Sequence, residues 1–109
     1  MSDHVFVVSE WLPKQGKDQE LWQHAKKIVA LTLKEKGCLR AHAMRQIVHP
    51  GAPGKSKYTI VCHQEYKNLE AFDTHCQSDY VTDFFETYVQ NEATAIVEAW
   101  TCRLFNEGD

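Results

Sequence analysis

The sequence has 109 residues, of which 43% are hydrophobic and 11% aromatic, and a formal charge of −3. A chain of that length makes one domain, residues 1–109, that buries roughly two-thirds of its unfolded surface, and the composition excludes disorder. The charge balance and the lack of a long Lys/Arg run exclude a nucleic-acid partner, and no apolar segment is long enough to span a bilayer.

The first residues, through Trp11, lack the pattern of a secretory signal, so a cytoplasmic protein without a membrane partner is expected. Residues 4–12 alternate as a strand, with Val5, Val7, Ser9 and Trp11 on one face and Phe6, Val8, Glu10 and Leu12 on the other. Both faces are largely apolar, which predicts cover on both sides. Residues 13–16 form a turn. A helix is expected over residues 17–36, where Leu21, Ala25, Ile28, Val29 and Thr32 recur at helical spacing and Trp22 and Leu33 widen the stripe. Asp18 and Glu20 at its start and Lys34 and Lys36 at its end suit the helix dipole. Gly37 is expected to end it through a left-handed conformation.

Residues 38–48 read as a second strand, with Leu39, Ala41 and Ala43 on one face and Arg40, His42, Met44 and Gln46 on the other. A basic loop punctuated by Gly and Pro leads to a third strand over residues 58–66, so the pair forms a long-looped hairpin. Asn68 can cap a helix over Leu69–Cys76 whose buried line is Leu69, Phe72 and Cys76. Ser78 is expected to cap the next helix, whose stripe of Val81, Phe84, Phe85, Tyr88 and Val89 is the strongest amphipathic signal in the chain. A last strand over residues 96–105 alternates Trp100, Cys102 and Leu104 with Thr101, Arg103 and Phe105.

The order β-α-β-β-α-β is the ferredoxin-like α+β arrangement, an antiparallel four-stranded sheet with helices on one face. Helices cover one face only, yet the strands carry apolar residues on both. The bare face predicts a homodimer in which a second sheet covers it.

Residues 62–89 bring a strand, the Tyr66-Lys67 corner, His75 and an amphipathic helix together as one wall of a small-molecule pocket. His75 is the first candidate base, because imidazole titrates near neutral pH; the alternative is a half-buried histidine that suits a helix C-terminus. Tyr66 either hydrogen-bonds a substrate oxygen or closes the core as a strand-end aromatic. Trp11, Phe72, Phe84, Phe85 and Tyr88 read as core and pocket lining. Arg40 holds an anionic group or forms an exposed ion pair, and Glu10 has the same ambiguity. His42 and His63, on adjacent strands, are placed to meet across the hairpin, while His24 and His49 read as solvated. The four cysteines, Cys38, Cys62, Cys76 and Cys102, form no C-x-x-C pair and are expected as small buried hydrophobes. A metal reading combines Cys62-His63 with His75-Cys76 but lacks a closed spacing pattern, so no metal is expected.

With this order of elements, residues 4–106 resemble the antibiotic biosynthesis monooxygenase family of dimeric α/β barrels. The resemblance is carried by Glu10-Trp11 before the Lys14-Gln15-Gly16-Lys17 turn, by the run from Glu35 to Arg40, and by the run from Tyr66 to Ala71 with His75. The spacing of Tyr66-Lys67, Ala71, His75 and Tyr80, with the closing run from Arg103 to Asn106, is similar to the isomerase branch that processes phosphorylated autoinducer-2. The family resemblance implies a pocket inside each subunit between helices and sheet. It also implies a cofactor-independent monooxygenase that deprotonates a small quinol-like or polyphenolic substrate, with His75 as base. The alternatives are an isomerase of a small phosphorylated ketone, clamped by Arg40, Arg45, Lys55 or Lys57, and a non-enzymatic dimeric small-molecule-binding protein.

Four departures from the family pattern matter. Tyr66 stands where many relatives have Trp, and Gln64 where Glu is common. Ala41 and Ala43 replace larger residues and predict a roomier pocket. Phe85 stands about where the haem-degrading branch places its ligand histidine, and Phe cannot bind iron.

Overall fold

The computed structural model describes residues 3–108. Its elements are β1 (Val5–Pro13), α1 (Asp18–Thr32), β2 (Cys38–Arg45), β3 (Ile60–Tyr66), α2 (Leu69–Cys76), α3 (Asp79–Phe85), a π-helical turn (Glu86–Gln90) and β4 (Val97–Phe105). The four strands form one antiparallel sheet in the order β2-β3-β1-β4. Among the described residues no helix is long and apolar enough to cross a membrane.

Alternation along β1 and β3 decides the architecture. Val5, Val7, Ser9, Ile60, Cys62, Gln64 and Tyr66 are buried, and the residues between them are half-buried. The buried set faces the helices. Leu21, Ala25 and Val29 of α1 and Phe84 of α3 pack with Ala41, Ile60, Cys62, Ile96 and Val97 in the main core. Ala71 and Phe72 of α2 cover a smaller cluster of Val5, Val7 and Tyr66. The opposite face has no helix, as the sequence predicts. Phe6, His63 and His42 lie in a row across it, with ring centroids 6.4 Å apart at each step.

Several boundaries differ from expectation, each for a local reason. The first helix stops at Thr32, not at residue 36; the Thr32 hydroxyl donates to the Ile28 carbonyl at 2.8 Å, and residues 33–37 turn instead. Gly37 is not left-handed; Gly16, at φ 79°, and Gly108, at φ 68°, are. What Gly37 supplies is clearance, since a Cβ there would lie 2.4 Å from the Ala71 Cβ. The second strand is shorter than residues 38–48, and its register shifts between Cys38 and Arg40. Leu39 therefore leaves the Ala41 and Ala43 face and is 45% exposed.

Asn68 caps α2 as predicted, its side chain accepting from the Ala71 N–H at 2.8 Å. The buried line of α2 differs: Leu69 and Cys76 are exposed and His75 is the buried residue. Ser78 does not cap α3 with its side chain but donates its hydroxyl to the His75 carbonyl at 2.6 Å. The third strand begins at Ile60 instead of residue 58, and the fourth at Val97 instead of residue 96. Of the cysteines expected to be buried, only Cys62 is; Cys38 is half-buried, and Cys76 and Cys102 are exposed.

Candidate functional site

The early end of α1 is where the site begins. Residues 33–37 swing away from the helix axis and carry Glu35 toward α2, and Gly37 lets the two segments touch. The last turn of α2 presents His75. The first turn of α3 presents Tyr80. The turn after α1 and two consecutive helices thus deliver one side chain each to a common point, those of the helices 40 or more residues later in the chain.

At that point Glu35 Oε2 accepts from His75 Nδ1 at 2.9 Å and from the Tyr80 hydroxyl. A carboxylate only accepts, so the imidazole proton facing it sits on Nδ1. Tyr80 Oη also lies 3.3 Å from His75 Nδ1 and 3.0 Å from Thr32 Oγ1, which closes the cluster on the end of α1. Burial first, and then the bond to Glu35, push the Tyr80 phenol above its ordinary value, so it remains a neutral donor. His75 is buried, with its ring centroid 5.4 Å from that of Tyr66 and 6.3 Å from that of Phe72. Among the described residues none hydrogen-bonds its other nitrogen, Nε2.

One side of this cluster is a cavity of about 440 Å³ between the helices and the sheet, and His75 is in its wall. The surface is dominated by apolar and aromatic side chains and carries no Lys or Arg. Trp11 anchors one part of it. Its indole N–H donates to Ser9 Oγ at 2.9 Å, and its ring stacks on Trp100 at 5.6 Å. Phe84 meets Trp11 edge-on at 5.8 Å, and Phe85 packs on Trp100 at 4.9 Å. Cys62, Cys76 and Cys102 also reach the cavity. Burial pushes the Cys62 thiol up to about 11, with the Ser9 hydroxyl opposing, and burial raises Cys76 and Cys102 as well, so all three stay protonated thiols near neutral pH. On the far side, Glu35 borders a polar outer groove together with Lys36, Lys67 and Glu70.

His75, Trp11, Phe72, Phe84 and Phe85, singled out from sequence, do line the cavity. Three others do not. Tyr66 is fully buried behind the wall, its hydroxyl donating to Gln64 Oε1 at 2.9 Å, so direct contact with substrate has no geometric basis. Burial, with Glu35 next in effect, pushes its phenol far above the ordinary value. Arg40 projects from the bare sheet face, its side chain 73% exposed and 3.8 Å from Glu65. Tyr88 packs on His24, at 4.1 Å between centroids, and on Phe84. His24 is therefore half-buried and not solvated, and that burial lowers its pKa. His49, expected to be solvated, is exposed.

Other expectations also shift. Ala41 and Ala43 pack with the main core and do not border the cavity, which lies over β1, β3 and β4 instead. Glu10 is on the bare face, accepting from Thr101 Oγ1 at 2.9 Å. The metal reading fails on strand geometry, because Cys62 and His63 point to opposite faces. Among the described residues no group of three metal-ligating side chains forms. Sequence reasoning missed Glu35 and Thr32 as partners, and Gln64 and Ser9 as lining. Glu35 precedes His75 by 40 residues, and no local spacing signals their meeting.

A four-stranded antiparallel sheet with helices on one face, and a cavity of small-molecule size between the two layers, defines a ferredoxin-like α+β protein with an internal cavity. The chain belongs to the antibiotic biosynthesis monooxygenase family, whose model matches residues 4–87. Its fold is shared with a Shewanella oneidensis protein at 21% identity and a TM-score of 0.73, the alignment covering 96% of this chain and 91% of that one. A Pseudomonas aeruginosa protein gives 13% identity and a TM-score of 0.77 over 100% and 98% of the two chains. SnoaB, a cofactor-independent oxygenase from Streptomyces nogalater, gives 13% identity and a TM-score of 0.71 over 99% and 96%. At these identities the likeness is one of fold. No curated protein matches the sequence.

Proposed function

We propose that this domain is a cofactor-independent monooxygenase for a small, uncharged, quinol-like or polyphenolic compound. The observation that carries the reading is the Glu35–His75 pair set in the wall of an apolar cavity. Glu35 holds the proton on Nδ1 and leaves Nε2 as the basic nitrogen. His75 takes the phenolic proton, and the adjacent carboxylate stabilises the imidazolium that forms. The electron-rich anion then reacts with O2 at a ring carbon bearing hydrogen. The O–O bond breaks, one oxygen stays on that carbon as a carbonyl, and the other leaves as water with two substrate hydrogens. Substrate supplies all the electrons. The apolar lining keeps water away from the anion and the oxygen adduct.

The fold neighbour SnoaB supports the oxygenase class. The phosphorylated-ketone isomerase is less well supported, because Arg40, Arg45, Lys55 and Lys57 all stand outside the cavity lining. Arg45 is engaged with Asp18 at 3.1 Å and with the Trp22 ring. A homodimer joined through the bare sheet faces belongs to the same proposal.

The test is oxygen uptake with a panel of hydroquinones. Uptake is expected to survive metal chelation and to fall about 100-fold or more in His75→Ala. No uptake with any quinol, or an unimpaired His75→Ala enzyme, would overturn the reading.

A further inference from the structure

Gln64 is a buried amide with one end used and the other open. It is 6% exposed, lies on the helix-facing side of β3 and borders the cavity. Its Oε1 accepts from the Tyr66 hydroxyl at 2.9 Å. Tyr66 has no exposed surface and keeps its proton, so it can serve only as a fixed donor that holds the oxygen end of the amide. The nitrogen end, Nε2, then carries two N–H donors. No described residue accepts from them. Nor is Nε2 sealed inside protein, because Thr59 Oγ1 is the one fully buried side-chain nitrogen or oxygen without a partner among the described residues. The open direction for Nε2 is the cavity. A neutral donor held in a dry, apolar site by a second buried hydrogen bond is the arrangement that stabilises developing negative charge.

We propose that Gln64 Nε2 donates to a substrate oxygen that becomes anionic when His75 takes the proton, and that Tyr66 is the positioning residue that sets the amide. This rests on the reading of the cavity as a site for a phenolic or enolic compound, and it narrows that class. The ligand is flat and uncharged, and its ionisable hydroxyl is conjugated to the oxygen held at Gln64. A carboxylate at this position would repel that charge. The amide selects for the anion without carrying a charge of its own.

The probe is 4-nitrophenol, whose phenolate absorbs visible light and whose phenol does not. Titrated against the protein without oxygen, bound nitrophenol is expected to ionise at lower pH than free nitrophenol. Gln64→Leu is expected to weaken phenolate binding about tenfold or more, the scale of one hydrogen bond to a charged group. Tyr66→Phe should give a smaller loss, with phenol binding little changed. Gln64→Glu, nearly the same shape, should also lose phenolate affinity, and it carries the test if the leucine variant does not fold. Phenolate affinity unchanged in the Gln64 variants, or nitrophenol bound by the wild type only as the neutral phenol or not at all, would overturn the proposal. Because no turnover is needed, a failed oxidation assay leaves this result standing. Failure here leaves the oxidation reading resting on His75.

Discussion

One oxygen of Glu35 receives both His75 Nδ1 and the Tyr80 hydroxyl, and this double contact fixes the imidazole in orientation and in tautomer. In Glu35→Gln an amide replaces the carboxylate, and the preference for a proton on Nδ1 is lost. Oxidation is expected to fall on the order of 100-fold. Nitrogen NMR of the imidazole should show Nδ1–H in the wild type and a mixture of tautomers in the variant, a change that a purely structural lesion elsewhere would not produce. An unchanged tautomer would remove Glu35 from the site. His75 was legible in the sequence because it sits on the edge of a short amphipathic helix beside an aromatic corner. Its partner was not, since the two meet only when the turn after α1 folds onto α2. Tyr66 was legible as an aromatic at a strand end. Whether it faced the cavity or stood behind the wall depended on α2 covering it completely.

At the level of elements, the clearance at Gly37 governs how closely the Glu35 turn approaches α2. Gly37→Ala puts a Cβ 2.4 Å from the Ala71 Cβ, so one segment has to move. We expect a loss of about 1–3 kcal/mol in denaturant unfolding, the usual cost of overpacking. Loss of the Nδ1–H preference at His75 should accompany it, because the turn and the helix separate. A variant as stable as the wild type with its tautomer intact would show that the contact does not position Glu35. Helix and strand types were legible because periodicities of 3.6 and 2 are written in the apolar residues, as in Leu21, Ala25 and Val29 or Val5 and Val7. The end of α1 was not, because Leu33, Lys34 and Lys36 continue a helical pattern that Thr32 interrupts through its own hydrogen bond to Ile28. The bulge at Leu39 left no composition signal either.

For the whole molecule, the sheet has one face under helices and one carrying half-exposed rings. Phe6, His63 and His42 run across the bare face, and Met44 and Phe105 are 43% and 47% exposed beside them. Sedimentation at micromolar concentration is expected to show a dimer, and Phe6→Glu, placing a second negative charge beside Glu65, is expected to shift it toward monomer. A monomeric wild-type protein would rule the dimer out. The bare face was readable from β1, whose Phe6 and Val8 alternate with Val5 and Val7; the cavity depended on how far the helices stand off the sheet and was not. Glu35 gives this layered body a consequence of its own. It touches His75, which borders the cavity, and also borders the outer groove with Lys36 and Lys67, so the Glu35–His75 hydrogen bond stands between the two spaces. On the proposed mechanism, the cavity can stay filled and dry while His75 returns its proton to bulk water through Glu35 and the groove. Traffic of molecules and traffic of protons then use different sides of the same wall.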